Sequence, residues 1–168
     1  TAKFKNATKM PAGIDINRFK GYEDVKKVSN SILYIGRISP VKHVDVLLKA
    51  VRILDSKGIK LVLDIYGSAP ERDKKYYERL QEDFKDIKDK RIVNFRGSIP
   101  NYKSAEVFNA HEISVNLTPE GNFDKTVLES MACETLTLVS SPAFESILTP
   151  EFLFEECNSD SLANKIEN

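Results

Sequence analysis

The sequence predicts an α/β protein, a three-layer α/β/α domain built on a mostly parallel six-stranded sheet. Two observations carry this expectation. Short β-branched runs alternate with longer stretches of helical period, which is the pattern of βαβ units around a buried parallel sheet. The length, 168 residues, suits one such domain and is short for two separate cores.

Taken in order, the first strand candidate is residues 32–35, closed by Gly36 and Arg37. Ser39 and Pro40 then offer an N-cap and a first-turn proline. Val44, Leu47, Leu48, Val51 and Leu54 form an apolar stripe, and Gly58 stops the helix. Residues 61–66 read as the second strand, followed by Gly67-Ser68 and a charged helix in which Tyr77, Leu80, Phe84 and Ile87 recur at helical spacing. The Lys, Asp and Glu residues of that helix form its solvated face. A third strand spans 91–95, a loop covers 97–101, and a short helix around 105–110 leads to the fourth strand, 113–117. Residues 118–124 carry Pro, Gly and Asn and enter a helix over 125–133, with Asp124 as N-cap. Residues 135–139 are a fifth strand and 152–154 a short sixth. Asp160 is expected to cap a final helix that stops at Asn168, so residues 31–168 read as one domain cut short at its C-terminal side. Residues 1–30 show no period and read as a lead-in or linker.

Composition removes several function classes. Lys plus Arg and Asp plus Glu both number 25, so no field of one sign draws in nucleic acid or an anionic membrane. Cys133 and Cys157 lie far apart without a CxxC, and with only His43 and His111 to join them no metal-ligand spacing is visible. A reduced, cytoplasmic protein fits this usage. The apolar runs are too short for a membrane span, and the N-terminus lacks a signal-peptide core; peripheral membrane contact through missing parts is left open. GxGxxG, GxxxxGK[ST] and GxSxG are absent, which removes the usual signatures of dinucleotide, P-loop and α/β-hydrolase chemistry. His43 and His111 read as structural or solvated, and Cys133, in an apolar stripe, as a small core residue.

Ligands of open α/β sheets bind beyond the carboxyl ends of the strands. After the first strand, IGRISPVKH offers Gly36 for close backbone approach, the Arg37 guanidinium, the Lys42 ammonium and a helix start, a plausible diphosphate cradle. Strand–Gly–helix turns also serve packing alone, so both readings stand at this point. After the fourth strand, PEGNFDK offers backbone N–H groups at Gly121 and Asn122 and a helix start at Asp124, suited to sugar hydroxyls. Glu129 lies five residues beyond Asp124, where a carboxylate accepts from a ribose diol or simply complements the helix dipole.

Four segments, in order, resemble the C-terminal, donor-binding domain of retaining GT-B glycosyltransferases of the glycosyl transferases group 1, glycogen-synthase and sucrose-synthase-like kind. They are MPAGIDINRF, ILYIGRISPVKHVDVLLKAV, IVNFRGSIPNYKSAEVFNAHEISVNLTPE and VLESMACETLTLVSS. The resemblance implies a Rossmann-like half of a GT-B fold and a hexosyltransferase that moves a sugar from a nucleoside-diphosphate sugar to an acceptor with retention. It implies that Gly36, Arg37 and Lys42 grip the diphosphate and that Glu129 holds the ribose. Gly97, Ser98 and Ile99 would flank the base, and Gly121, Asn122, Phe123, Asp124 and Lys125 would lie against the sugar and diphosphate. Ala12 replaces the usual asparagine, His43 stands where glycine is usual, and Glu134 where a helix-ending glycine is usual. The family's first glutamate of a spaced pair falls on Gly121, with Glu120 displaced by one. Asp124, Lys125 and Glu120 are therefore the candidates for the catalytic contact. Neither cofactor nor metal is expected. The implied partners are the nucleotide sugar and an N-terminal acceptor-binding domain, without which the fragment is expected to transfer no sugar. An NDP-sugar epimerase, a phosphorylase domain and a non-enzymatic α/β interaction module are the rival readings.

Overall fold

The structure is a computed structural model that describes residues 13–168; Met10, Pro11 and Ala12 of the lead-in motif lie outside the described residues. Five strands form one sheet: β1 (Val28–Ile35), β2 (Val62–Tyr66), β3 (Val93–Gly97), β4 (His111–Asn116) and β5 (Leu136–Val139). Their order is β3-β2-β1-β4-β5, and every pairing is parallel. The expected sixth strand is corrected. Residues Pro150–Phe152 form a single 3-10 turn, and Leu153 makes one isolated parallel bridge to Val139. The Phe152 and Leu153 N–H groups are spent inside that turn on the Thr149 and Pro150 carbonyls, which leaves the Phe154 N–H to reach the Val139 carbonyl.

Among the described residues, six α-helices complete the layers: α1 (Val44–Ser56), α2 (Lys74–Asp83), α3 (Lys85–Asp89), α4 (Ser104–Asn109), α5 (Lys125–Ala132) and α6 (Ser159–Glu167). Alternation along β1 shows how they divide. Ile32 and Tyr34 point into a core shared with α1, α2, α3 and α6, whereas Leu33 and Ile35 face a second core that includes Phe19, Ala105, Phe108 and Cys133. A strand covered on both faces reads as an unbroken apolar run, as ILYI does. The lead-in packs on that second face: the Phe19 ring lies edge-on to Phe108, the Tyr22 N–H donates to Asn109, and the Asn109 amide returns a hydrogen bond to the Lys20 carbonyl.

Local chemistry sets the helix ends. Gly58 (φ 79°) follows α1, and the Gly58 and Ile59 N–H groups donate to Asp55 and Leu54, a paired C-terminal closure that requires a left-handed residue. At the other end, Ser39 and Pro40 do not start α1. Pro40–Lys42 is a 3-10 turn, and His43, itself left-handed at φ 45°, separates that turn from the helix. The Ser39 side chain makes no capping hydrogen bond. Asp124 does cap α5, accepting from the Thr126 N–H, while α6 is capped by Asn158 rather than Asp160.

Within the sheet, Asp64 of β2 is a buried carboxylate. It accepts from the Asn94 amide at 2.9 Å and pairs with Arg96 at 3.1 Å and with His111 Nε2 at 3.6 Å. Burial alone would raise its pKa, but these donors outweigh it and hold the carboxyl at about 2.

Candidate functional site

The chain runs from β1 outward through β2 to β3, then crosses back to lay β4 and β5 on the other side of β1. Strand order therefore reverses between β1 and β4. In an open parallel sheet this switch point opens a crevice beyond the strand ends, because the loops after the two strands leave in opposite directions. Here those loops are residues 36–43 and 117–124, the two segments expected to carry the chemistry.

The first loop is fixed from below. The Gly36 N–H donates to the Tyr66 carbonyl, the Ile38 N–H to the Ser68 carbonyl, and the Tyr34 hydroxyl to the Arg37 carbonyl at 2.9 Å. Burial, with the Asp124 carboxylate next, pushes the Tyr34 phenol well above its ordinary range, so it remains a hydrogen-bond donor. The close approach at Gly36 is to Gly67, whose missing Cβ makes room for the Gly36 carbonyl oxygen. Arg37 is exposed at the rim and pairs with no described carboxylate.

Lys42 is placed differently. Its ammonium reaches across the crevice, donating to the Thr118 hydroxyl at 2.7 Å and pairing with Asp124 at 3.0 Å. Thr118 in turn donates to the same Asp124 oxygen at 2.7 Å, and the other oxygen accepts from the Thr126 hydroxyl and N–H. The Lys42 and Asp124 side chains retain only 19% and 23% of their exposure. Lys42, expected as a diphosphate cation beside a capped helix start, is thus already partnered, and the turn beside it is not the start of α1. Burial pushes the Asp124 carboxyl up, but Thr118 and Lys42 pull it further down, to about 2.

Two carboxyls, Asp64 and Asp124, are thus held at about 2 against an ordinary value of 3.8. A depressed acid stabilises the fold above its unfolded pKa and loses that contribution as pH falls through the folded value. Stability is therefore expected to be level above about pH 4 and to fall between about 4 and 2, by roughly 2 kcal/mol per group. Urea midpoints measured across that range check this; a flat profile would mean that neither network survives in solution.

The second loop is closed by its own bonds. The Thr118 N–H donates to Asn116 Oδ1, the Asn116 amide to Thr126, and the Ser141 hydroxyl to the Asn122 carbonyl. Gly121 takes the left-handed conformation (φ 82°), and Phe123 stacks on Phe144 at 4.5 Å while remaining 41% exposed. Lys125 is exposed at the first turn of α5. Glu129 is half-buried further along α5, and its carboxylate accepts no hydrogen bond from a described residue. Burial raises its carboxyl, and Asp124 adds to this against the opposing charges of Arg18 and Lys125.

Gly97 is the last residue of β3, with Ser98 and Ile99 just beyond it, and the Gly97 carbonyl accepts from the Gly67 N–H at 2.8 Å. Arg18, which sequence reasoning did not single out, reaches this loop from the lead-in. Its Nη2 donates to Asn101 at 2.6 Å, its guanidinium lies 4.5 Å over the Phe19 ring, and its buried Nε has no described partner. Thr118 was also missed; its only signal was its place directly after the fourth strand. A depression of about 350 Å³ adjoins the second loop, lined by Glu120, Ser140, Ser141, Glu145, Glu155 and Glu156. A larger hollow of about 520 Å³ lies between α1 and α2, away from the crevice, and its Asp45 and Lys49 pair with each other. No described helix is long and apolar enough to cross a membrane.

A family model described as glycosyl transferases group 1 matches residues 29–168. No curated protein matches the chain. Among solved structures, the C-terminal domain of the group 1 protein LpcC from Francisella tularensis is 21% identical, with 92% of this chain and 86% of that chain covered at a TM-score of 0.78. HepE from Anabaena, solved with UDP and glucose, is 19% identical over 92% of this chain and 45% of its own, with a TM-score of 0.78. Sucrose-phosphate synthase from Thermosynechococcus elongatus is 22% identical over 94% and 41%, again at 0.78. At these identities the likeness is one of fold, and this chain spans less than half the length of the last two proteins.

Proposed function

The chain belongs to the glycosyl transferases group 1 family, and on that premise we propose that it is the donor-binding half of a retaining glycosyltransferase of hexosyl type. The observation that carries this reading is the switch-point crevice, walled by the Gly36–Lys42 and Thr118–Lys125 loops with Glu129 and Arg18 at its edge. In this reading Arg37 and Lys125 meet the diphosphate from exposed positions, and Lys42 joins them by leaving Asp124. Charge that builds on the departing diphosphate is then stabilised by these three cations. Glu129, a carboxylate without a described donor, accepts from the ribose hydroxyls. Gly97, Ser98 and Ile99 flank the base, and residues 121–125 with Glu120 lie against the sugar. The unit is the sheet domain from β1 onward, with the residues before β1 as its lead-in; an acceptor-binding domain completes the enzyme, whose place is the cytoplasm. HepE was solved with UDP and glucose, which makes UDP the first nucleotide to test.

Calorimetric titration of the chain with UDP, GDP and ADP tests this reading. One diphosphate is expected to bind, more weakly by about 1.5–3 kcal/mol in Arg37→Ala, the range for hydrogen bonds to charged groups. Affinity is expected to survive EDTA, because side-chain cations neutralise the diphosphate. No binding of any of the three would leave the domain an interaction module.

The ribose role has its own check. UDP and its 2′,3′-dideoxy analogue are expected to differ in affinity for the wild type and to converge in Glu129→Ala. Equal discrimination by the variant would remove Glu129 from the site.

A further inference from the structure

We propose that His43, Glu156 and Cys157 form a binding site for a zinc-class divalent cation on the outer wall of the crevice. No metal-ligand spacing is visible in the sequence, yet the fold brings His43 and Cys157, 114 residues apart, to 3.6 Å between Nδ1 and Sγ. A carboxylate oxygen of Glu156 joins them, and the three ligand atoms all lie within 4.8 Å of one another.

The spacing fits a tetrahedral ion. With bonds of about 2.3 Å to thiolate and about 2.0–2.1 Å to imidazole, a tetrahedral angle separates sulfur from nitrogen by about 3.6 Å. Bringing the carboxylate to its own tetrahedral distance takes at most about 1.5 Å of side-chain movement. Imidazole, thiolate and carboxylate together select a borderline-soft cation over magnesium or calcium, and leave a fourth position for water.

The backbone sets both end ligands in an unfavourable conformation. His43 (φ 45°) and Cys157 (φ 58°) are left-handed, a region that disfavours side chains, and His43 stands where glycine is usual in the family it resembles. Glu156 is steadied from outside, since its Oε2 accepts from the Glu120 N–H at 3.1 Å, the kind of outer contact that orients metal ligands. Around the site, Glu120, Glu145 and Glu155 line the adjoining depression, and Asp45 near Cys157 is paired with the Lys49 ammonium, so carboxylates outnumber the cations close to the ligands. As a thiolate ligand, Cys157 gives up its proton to solvent on binding.

Such an ion would tie the turn that precedes α1 to the turn that precedes α6 and, through Glu120, to the loop after β4. It lies beside Lys42 and uses none of the side chains assigned to the donor; Glu120, placed against the sugar, contributes only its backbone N–H.

Cobalt titration of the reduced chain, followed by absorbance, tests it. The expected result is one equivalent bound, with a near-ultraviolet thiolate-to-cobalt band and the intense visible bands of tetrahedral cobalt, both displaced by zinc. Cys157→Ser and His43→Gly are each expected to weaken the affinity at least about tenfold, the lower bound for losing even an outer-shell partner. His43→Gly removes the ligand while placing glycine at the left-handed position, so its folding is not at risk, and far-UV circular dichroism confirms the fold of both. No thiolate band, or unchanged affinity in the two folded variants, overturns the site. UDP titration of the same samples reports separately on the crevice.

Discussion

Gly67→Ala is expected to destabilise the domain by roughly 2–6 kcal/mol, the sum of about 1–3 for backbone strain and about 1–3 for overpacking. Gly67 has φ 151°, a conformation that L side chains rarely adopt, and a Cβ built there would sit inside the Gly36 carbonyl oxygen. That oxygen belongs to backbone already held by the Gly36 N–H to Tyr66 hydrogen bond, and the Gly67 N–H is engaged with Gly97. Neither side has a flexible group that can give way. Gly58→Ala is the matched control. It too forces a residue into a positive φ, 79°, but nothing lies within 4 Å of its added carbon. Its cost is expected to be only about 1–2 kcal/mol. Urea unfolding of both variants separates conformation from contact. Equal losses would show that the Gly36–Gly67 approach relaxes at no cost. A loss at the upper end would consume a large part of a typical 5–15 kcal/mol, so poor expression of Gly67→Ala is part of the same expectation.

The Lys42–Asp124 pair is expected to oppose nucleotide binding as well as hold the crevice together. Lys42→Ala is expected to weaken UDP by about 1.5–3 kcal/mol, roughly tenfold to 150-fold. It also leaves a carboxylate, held at about 2 by Thr118 and Lys42 against the push of burial, without its cation. Stability is expected to fall by roughly 1–2 kcal/mol, below the figure for fully buried pairs because both groups keep about a fifth of their exposure. Asp124→Asn separates the two roles. Asparagine still caps α5, but it no longer neutralises the ammonium, so UDP is expected to bind at least as tightly as in the wild type. A UDP-sugar is expected to gain less than UDP, because the Asp124 carboxylate is a candidate for the sugar hydroxyls. Equal loss of UDP affinity in both variants would mean that Asp124 positions Lys42 for the diphosphate and does not compete with it.

Much of this was legible in the sequence, and the rest was hidden for physical reasons. The stripe from Val44 to Leu54 and the Gly58 stop described α1 because helix period and a left-handed terminator are local properties. The ILYI run announced a strand covered on both faces. Ser39 and Pro40 read as a cap and a first turn, but the left-handed His43 breaks the segment into a 3-10 turn and a later helix, and no local signal marks a histidine in that conformation. Phe152 and Leu153 have the composition of a strand, but a 3-10 turn begun at Pro150 takes up their N–H groups. Both crevice loops were found from glycine, charge and position after strands. Lys42's partner was not, since Thr118 and Asp124 lie 76 and 82 residues away and meet it only once the sheet forms. Asp64 sat unnoticed inside an apolar strand, because its Asn94, Arg96 and His111 partners come from other strands.

The central position of β1 also governs how the chain must acquire its structure during synthesis. One edge of β1 is paired by β2, which follows closely, but the other waits for β4, where Ile32 and Leu33 meet Ile113 and Ser114. About 80 residues separate these partners, so at 5–20 residues per second that edge emerges from the ribosome roughly 4–16 s before its neighbour exists. Throughout that interval an apolar strand presents open N–H and C=O groups and one uncovered face, the situation in which strands pair with the wrong partner. Mispairing of the nascent chain is thus expected to be most frequent before β4 arrives.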